Sequence, residues 1–250
     1  MADETASYDG QDRHQRAIEF ARYEVIGLPL KRRRKGYNPL FAGRVKPTAL
    51  PQSTLKRSVD MAGASVGLVL LVPLFALIAI AIKSTSRGPV FFRQQRYGLN
   101  GIPFSVFKFR TMHSHLCDSS GVSQTVRNDP RVTWIGDFLR RSNFDELPQL
   151  INVLKGDMSL VGPRPHVPGM LAAGVPYEDF DNRYMDRHQV RPGITGLAQV
   201  SGFRGETRDR HAARMRLEHD LKYIKKQSFL FDVKIIAGTI VREFFKGNGY

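Results

Sequence analysis

The sequence predicts an α+β fold of modest strand content, built as a mostly helical, membrane-associated domain. Three observations carry that expectation. Twenty-two consecutive residues, Met61 to Ile82, bear no charge; two short segments flanking "LNG" read as a β-hairpin; and apolar residues recur at helical spacing near the C-terminus. The 250 residues divide accordingly into a polar basic tail over 1–50, a membrane element over 51–87 and a domain-sized remainder over 88–250.

The tail comes first. It mixes charges, contains "KRRRK" at Lys31–Lys35 and has no apolar segment of signal-peptide type, so its expected place is the cytoplasm. Such a block either lies on anionic lipid, each cation near the surface contributing about 1 kcal/mol, or is simply solvated. The net charge of +15 extends the same theme and points to polyanionic partners: anionic lipid, phosphorylated substrates or nucleic acid. A single cysteine, Cys117, excludes an intramolecular disulfide and fits a reducing compartment.

The uncharged run follows. As a straight helix it would measure roughly 33 Å, enough to cross a hydrocarbon core of about 30 Å. Pro73 stands in its middle, without an N–H for the carbonyl of Val69 and with a ring that clashes there. Divided at Pro73, the arms reach only about 18 Å and 14 Å. Lys56 and Arg57 precede the run and Lys83, Arg87, Arg93 and Arg96 follow it, so both ends carry the positive signature of the cytoplasmic side. The expectation is a re-entrant hairpin: in at Lys56, a break at Pro73, out at Lys83. A kinked span and a buried soluble helix are the alternatives.

Next, "GPVFFRQQRYG" and "IPFSVFKFRTM" predict two antiparallel strands, and helices are expected over Trp134 to Arg141 and Phe144 to Leu154, the second capped by Asn143. "RPGITGLAQVSGFRG" is too rich in Gly and Pro for more than loop with short strand pieces. In "FDVKIIAGTIVREFF", Val233, Ile236, Ala237, Ile240, Val241 and Phe244 share one face, an amphipathic helix that packs on the core or rests at the lipid interface.

Three clusters could carry chemistry. Asp145 and Glu146 are adjacent acids at an expected helix start, where the helix dipole alone favours them; as a functional pair, one carboxylate attacks phosphorus while the other holds a cation. In "GPRP", Arg164 is held extended by Pro165, which lowers the entropy lost when its planar fork meets a phosphate; a plain turn with a solvated arginine is the rival. Lys108 and Arg110 in "KFRTM" are alternate residues that could face one anion, or form a solvated basic face. His113, His166 and His188 do not make a metal set and read as structural.

In chain order, "KRSVD", "GPVFFRQQRYG", "FKFRTM", "DPRVTWIGDFLRR", "DELPQLINVLKGDMSLVGPRPH", "RPGITGLAQVSG" and "DLKYIKKQSFLFDVKII" resemble the monotopic bacterial sugar transferases, the polyprenyl-phosphate phosphoglycosyl transferases, over residues 55–250. The resemblance implies transfer of a hexose 1-phosphate from a UDP-sugar to undecaprenyl phosphate with release of UMP, the priming step of exopolysaccharide synthesis. It assigns Asp145 as nucleophile of a ping-pong route and Glu146 as ligand of Mg2+. Arg164, Lys108, Arg110 and, less centrally, Arg191 become phosphate-binding groups. It also implies a re-entrant helix-break-helix, although Val72 precedes Pro73 where the family often has Ser. "GFRGET" resembles the glucose or galactose branch, with acetamido sugars as the alternative. The expected location is the cytoplasmic face of the bacterial inner membrane, with a homo-oligomer left open and no nucleic-acid partner. The competing class is a non-enzymatic membrane-tethered binder of anionic lipid or nucleic acid, which gives the acid pair no role.

Overall fold

A computed structural model describes residues 50, 53–116, 129–205, 207 and 209–246. The tail over 1–49, with its "KRRRK" block, and Cys117 lie outside the described residues.

The uncharged run forms the centre of α1 (Thr54–Thr85), a helix that runs unbroken through Pro73. The expected interruption there is not seen. Losing one hydrogen bond and accommodating the ring costs about 3 kcal/mol in a free helix. Packing on both sides of the proline offsets it. Before Pro73, Ala64, Leu68 and Leu71 join Val106, Leu150, Val153 and Met158. After it, Leu74, Phe75, Ile78 and Ile82 join Phe109, Ile135 and Leu139, with the Phe75 and Phe109 rings edge to face at 5.1 Å. The outer side of α1 stays apolar and open: Leu70 is 73% exposed and Val69 71%.

Both ends of α1 are tied to the same body. Lys56 donates to the Asp232 carboxylate at 2.6 Å and to the Val161 carbonyl at 3.2 Å. Arg57 donates to the carbonyls of Val153 (2.9 Å) and Leu154 (3.3 Å), and Asp60 accepts from Ser159 Oγ (2.7 Å) and the Leu160 amide (3.0 Å). Lys56 and Arg57, read from sequence as a basic flank marking the cytoplasmic side, are internal ties. At the other end Arg110 donates to the carbonyls of Ile82, Ser86 and Arg87, filling acceptors that a helix end leaves open.

The predicted hairpin is present: β1 (Phe91–Tyr97) pairs antiparallel with β2 (Pro103–Phe109) around a tight turn in which Asn100 has φ 57°. α2 (Trp134–Arg141) begins where expected, with Thr133 Oγ1 accepting from the Gly136 amide at 3.0 Å. The second helix differs from expectation. Pro148 cannot donate inside a helix, so Phe144–Glu146 close a separate 3-10 turn and α3 (Gln149–Lys155) starts after the proline. Asn143 is left-handed at φ 58° and makes no cap bond.

Beyond α3, β3 (Ser159–Val161) pairs in parallel with a short strand at Gly193–Thr195, which follows a small hairpin of β4 (Leu171–Ala172) and β5 (Val175–Pro176) and the one-turn helix α4 (Tyr177–Phe180). With the strand at Gly193–Thr195 as β6, the chain continues into α5 (Leu197–Val200), α6 (Arg210–Lys226) and α7 (Phe229–Lys246). α7 packs on the core beside its predicted apolar row and leaves most of that row open. Ile235 is buried beside Val161, Val190 and Tyr223, and the Asp232 carboxylate is enclosed between Lys56 and the Tyr223 hydroxyl (2.9 Å). Val233, Ile240 and Val241 face outward. The ion pair pulls a polar residue inward and leaves the apolar row outside.

Lys56 and Asp232 are both nearly enclosed, so removing one partner strands a buried charge. Lys56→Met is expected to destabilise the fold by about 3 kcal/mol, and Lys56→Met/Asp232→Leu to recover most of that loss. Denaturant melts in one detergent check both; additive losses in the double variant would refute the coupling.

Candidate active site

Two consecutive carboxylates, Asp145 and Glu146, are buried on the 3-10 turn between α2 and α3. The turn is tight because Asn143 is left-handed before it and Pro148 stops it after. Removing adjacent anions from water is costly, and cations from separate parts of the chain meet them.

Glu146 is fully engaged. Arg164 grips it with both guanidinium nitrogens, at 3.0 and 2.5 Å, and Lys108 Nζ, near the end of β2, reaches it at 2.8 Å. Arg204 lies 3.8 Å away and donates to Asn143 Oδ1. Burial by itself pushes the Glu146 carboxyl up, but Arg164 and then Lys108 outweigh it and hold the group well below the usual carboxylate range. Asp145 is the opposite case. Its one ion contact among the described residues is Lys108 at 3.9 Å, and burial raises its pKa against that attraction, with the Glu146 charge adding to the rise. Two neighbours in sequence thus hold different electrostatic states: one locked, one loosely held and more basic.

Arg164 is set by its backbone. Consecutive carbonyls of Pro163, Arg164 and Pro165 accept from the Gly193 amide (3.0 Å), Arg187 Nη2 (2.7 Å) and Arg96 Nη1 (3.2 Å). The crossing of "GPRP" with "RPGITG" admits no side chain, since a Cβ on Gly193 would sit 2.0 Å from the Gly162 amide nitrogen. Arg187 is itself locked to Asp220 at 2.7 Å in the interior, among Tyr177, Tyr184 and His166. His166 and His188 are enclosed there; burial, then Arg187, depresses both well below the usual imidazole range, which keeps them neutral.

Of the residues nominated from sequence, Asp145, Glu146, Lys108 and Arg164 converge. Arg110 and Arg191 do not join them. β2 ends at Phe109, and Arg110 turns to the carbonyls closing α1. Arg191 donates to the Gly156 carbonyl at 2.8 Å, on the side of α1 where Arg57 and Asp60 lie. Three contributors were missed. Arg204 lies in "GFRGET", a motif read only for sugar preference. Arg96 sits on β1, where burial and then the neighbouring Arg164 push its guanidinium down to about 10. Arg187 carries no local signal, because its partner is 33 residues away.

Four cations around two carboxylates suit a polyphosphate. Among the described residues there is no group of three or more His, Cys, Asp or Glu side chains that could cage a metal. Carboxylate oxygens of this kind are what Mg2+ takes, one or two with substrate phosphate and water completing its shell, but both Glu146 oxygens are occupied, so an ion there requires Arg164 and Lys108 to turn to the phosphate.

Comparison with known proteins adds an independent result. A family model described as bacterial sugar transferase matches residues 51–246. The exopolysaccharide production protein PSS of Rhizobium leguminosarum bv. phaseoli is 50% identical over 196 residues, covering 78% of this chain and 98% of that protein. Undecaprenyl-phosphate glucose phosphotransferase of Komagataeibacter xylinus is 49% identical over 195 residues, and UDP-glucose:undecaprenyl-phosphate glucose-1-phosphate transferase of Escherichia coli K12 is 48% identical over 196. Each match again covers 78% of this chain, but only 37% and 41% of those longer proteins.

The depressed pKa of Glu146 has a measurable sign. Its stabilisation is complete above the unfolded carboxyl value near 4.3 and is lost as pH falls through the lower folded value. The stability gap between the native chain and Glu146→Gln is therefore expected to be widest at pH 7 and to narrow toward pH 3, as read by urea unfolding across that range. A gap independent of pH would contradict the ion cluster.

Proposed function

The chain belongs to the bacterial sugar transferase family, and from that premise we propose that it transfers glucose 1-phosphate from UDP-glucose to undecaprenyl phosphate, releasing UMP, to prime exopolysaccharide synthesis. The donor and acceptor are those named for the Komagataeibacter and E. coli relatives. What supports the reaction in the site itself is the unequal acid pair: a loosely held Asp145 of raised basicity beside a Glu146 pinned by Arg164 and Lys108.

The route runs in two displacements. An Asp145 oxygen bonds to the β-phosphorus of UDP-glucose, the bond from that phosphorus to the bridging oxygen breaks, and UMP leaves. A phosphate oxygen of the lipid then bonds to the same phosphorus and the bond to Asp145 breaks, which restores the carboxylate and yields the lipid-linked diphosphosugar. A covalent route suits a site in which donor and acceptor arrive from different phases. Lys108, Arg164 and Arg96 balance the charge of the diphosphate and hold it, and the clamped "GPRP" backbone keeps Arg164 in place as its guanidinium turns from Glu146 to phosphate. Glu146 would hold Mg2+ through an oxygen freed as Arg164 and Lys108 turn to the diphosphate, and the ion would supply charge neutralisation at the phosphates.

The lipid substrate places the chemistry at a bilayer. α1 is the helix among the described residues long and apolar enough to cross one, yet both of its ends are bonded to a single body. These ties support a monotopic arrangement, and a nucleotide-sugar donor favours the cytoplasmic face, with the open apolar side of α1, Trp134 (72% exposed) and the outward row of α7 meeting lipid. A non-enzymatic binder of polyanions gives a buried acid pair no use, and its desolvation would go uncompensated by any task.

Given radiolabelled UDP-glucose without lipid, the chain is expected to retain label on the protein and Asp145→Asn to retain none, with turnover falling by about a thousandfold or more. Equal labelling of the variant would reject the nucleophile, and a panel of UDP-sugars scored by UMP release decides between glucose, galactose and acetamido donors. Because Asp145 must be ionised to attack and burial raises its pKa, kcat/KM is expected to fall on the acid side at a pH above the ordinary Asp value near 3.9. Separately, Arg164→Lys should cost about 100-fold in kcat/KM, since an ammonium cannot reproduce the two-pronged grip.

A further inference from the structure

A cavity of about 250 Å³ opens beside the dyad turn, between α3, α5 and α7. Its wall is mainly apolar: Phe144, Leu147, Leu150, Ile194 and Val200. Its charged lining residues are Glu146, Arg204 and Arg242. We infer that this cavity receives the isoprenoid end of the acceptor lipid, with Arg204 and Arg242 taking its phosphate, so that the lipid enters the site from the α1–α7 side while the nucleotide enters over Lys108, Arg96 and Arg164. The inference rests on the transfer reaction proposed above and adds where the acceptor sits.

Three features argue for a lipid. The cavity is continuous with the catalytic pair, because Glu146 is part of its wall. It also lies against the two elements with open apolar surfaces. Leu150 forms one wall and packs on α1, where a Cβ at Gly67 would lie 3.2 Å from its methyl group. Thr239 and Arg242 of α7 form another wall, while Val233, Ile240 and Val241 of the same helix face outward. Charge is the third feature. Two arginines in the lining of a mainly apolar cavity match an amphiphile with an anionic head and a hydrocarbon stem, and an isoprene chain brings no polar atom of its own to be satisfied along the aliphatic wall. Arg242 is oriented by its own hydrogen bond to the Val200 carbonyl (3.1 Å), and Arg204 by Asn143 and Glu146.

One group in the wall speaks for a different occupant. The Gln199 amide nitrogen donates to the Ile194 carbonyl at 3.0 Å, which fixes the amide and leaves its oxygen buried without a protein partner. A sugar hydroxyl or a base N–H of the donor would satisfy it. The test therefore separates the two half-reactions.

Val200→Phe and the milder Thr239→Met both add bulk to the cavity. Each is expected to release UMP from UDP-glucose without lipid at a rate within about twofold of the native chain, which also shows that it is folded. Each is expected to raise the KM for undecaprenyl phosphate by about tenfold or more. Unchanged lipid KM in both variants overturns the inference, and so does a lost UMP half-reaction with an unchanged melting temperature, which would give the cavity to the donor. If Val200→Phe does not fold, Thr239→Met decides. A photoactivatable short prenyl phosphate, used without any donor, should label the wall around Thr239 and Val200 and be competed by undecaprenyl phosphate but not by undecaprenol or phosphatidic acid. Labelling elsewhere overturns the inference. Should the native chain release no UMP without lipid, the two-step route fails on its own, and the cross-linking still locates the acceptor.

Discussion

The burial of two adjacent carboxylates governs the architecture around them. An isolated buried carboxylate would take up a proton, and two side by side would repel. Glu146 stays charged because Arg164 and Lys108 reach it from separate elements, one from the loop after β3 and one from β2. With that charge fixed, Asp145 sits next to an anion with its one ion contact among the described residues at 3.9 Å, an asymmetry that suits the nucleophile proposed. The arrangement requires the hairpin, the "GPRP" loop and the dyad turn to be held in register with each other.

That register comes from backbone bonds more than from the ion pairs. Three successive carbonyls around Arg164 are each claimed by a donor, one of them Arg187, whose buried pair with Asp220 joins α6 to the same loop. The close crossing of Gly162 and Gly193 brings β3 and β6 together with no side chain between them. On the other side, Asp60 accepts from residues of β3 while Lys56 bonds to α7, so the apolar helix is part of the domain's framework and not an appended anchor. The surface that remains apolar is then the outside of α1, Trp134 and one row of α7.

Much of this was legible along the chain. The hairpin around "LNG", the start of α2 and the presence of an apolar helix follow from local patterns of period 2 or 3.6 and from punctuation by Gly and Pro. The departures share one cause. Pro73 was expected to break the helix into a hairpin, and tertiary packing on both arms carries the helix through it. Periodicity left the apolar row of α7 open to core or lipid, and the Lys56–Asp232 pair, whose members are 176 residues apart, turns Asp232 inward and leaves that row outside. Asn143 was expected to cap one helix, but Pro148 divides that stretch and turns the acids onto a 3-10 turn.

By itself, then, the amino-acid sequence determined the class of chemistry: an acid pair, an arginine locked between prolines, an excess of cations and one apolar helix with basic borders. Only the tertiary structure decided which cations serve the acids. Lys108 and Arg164 do, Arg204 and Arg96 join them, and Arg110 and Arg191 are spent on carbonyls at other element ends. The physical reason is that an arginine's role is set by whichever unsatisfied acceptor folding places within its reach, and acceptors distant along the chain leave no mark on its neighbours in sequence.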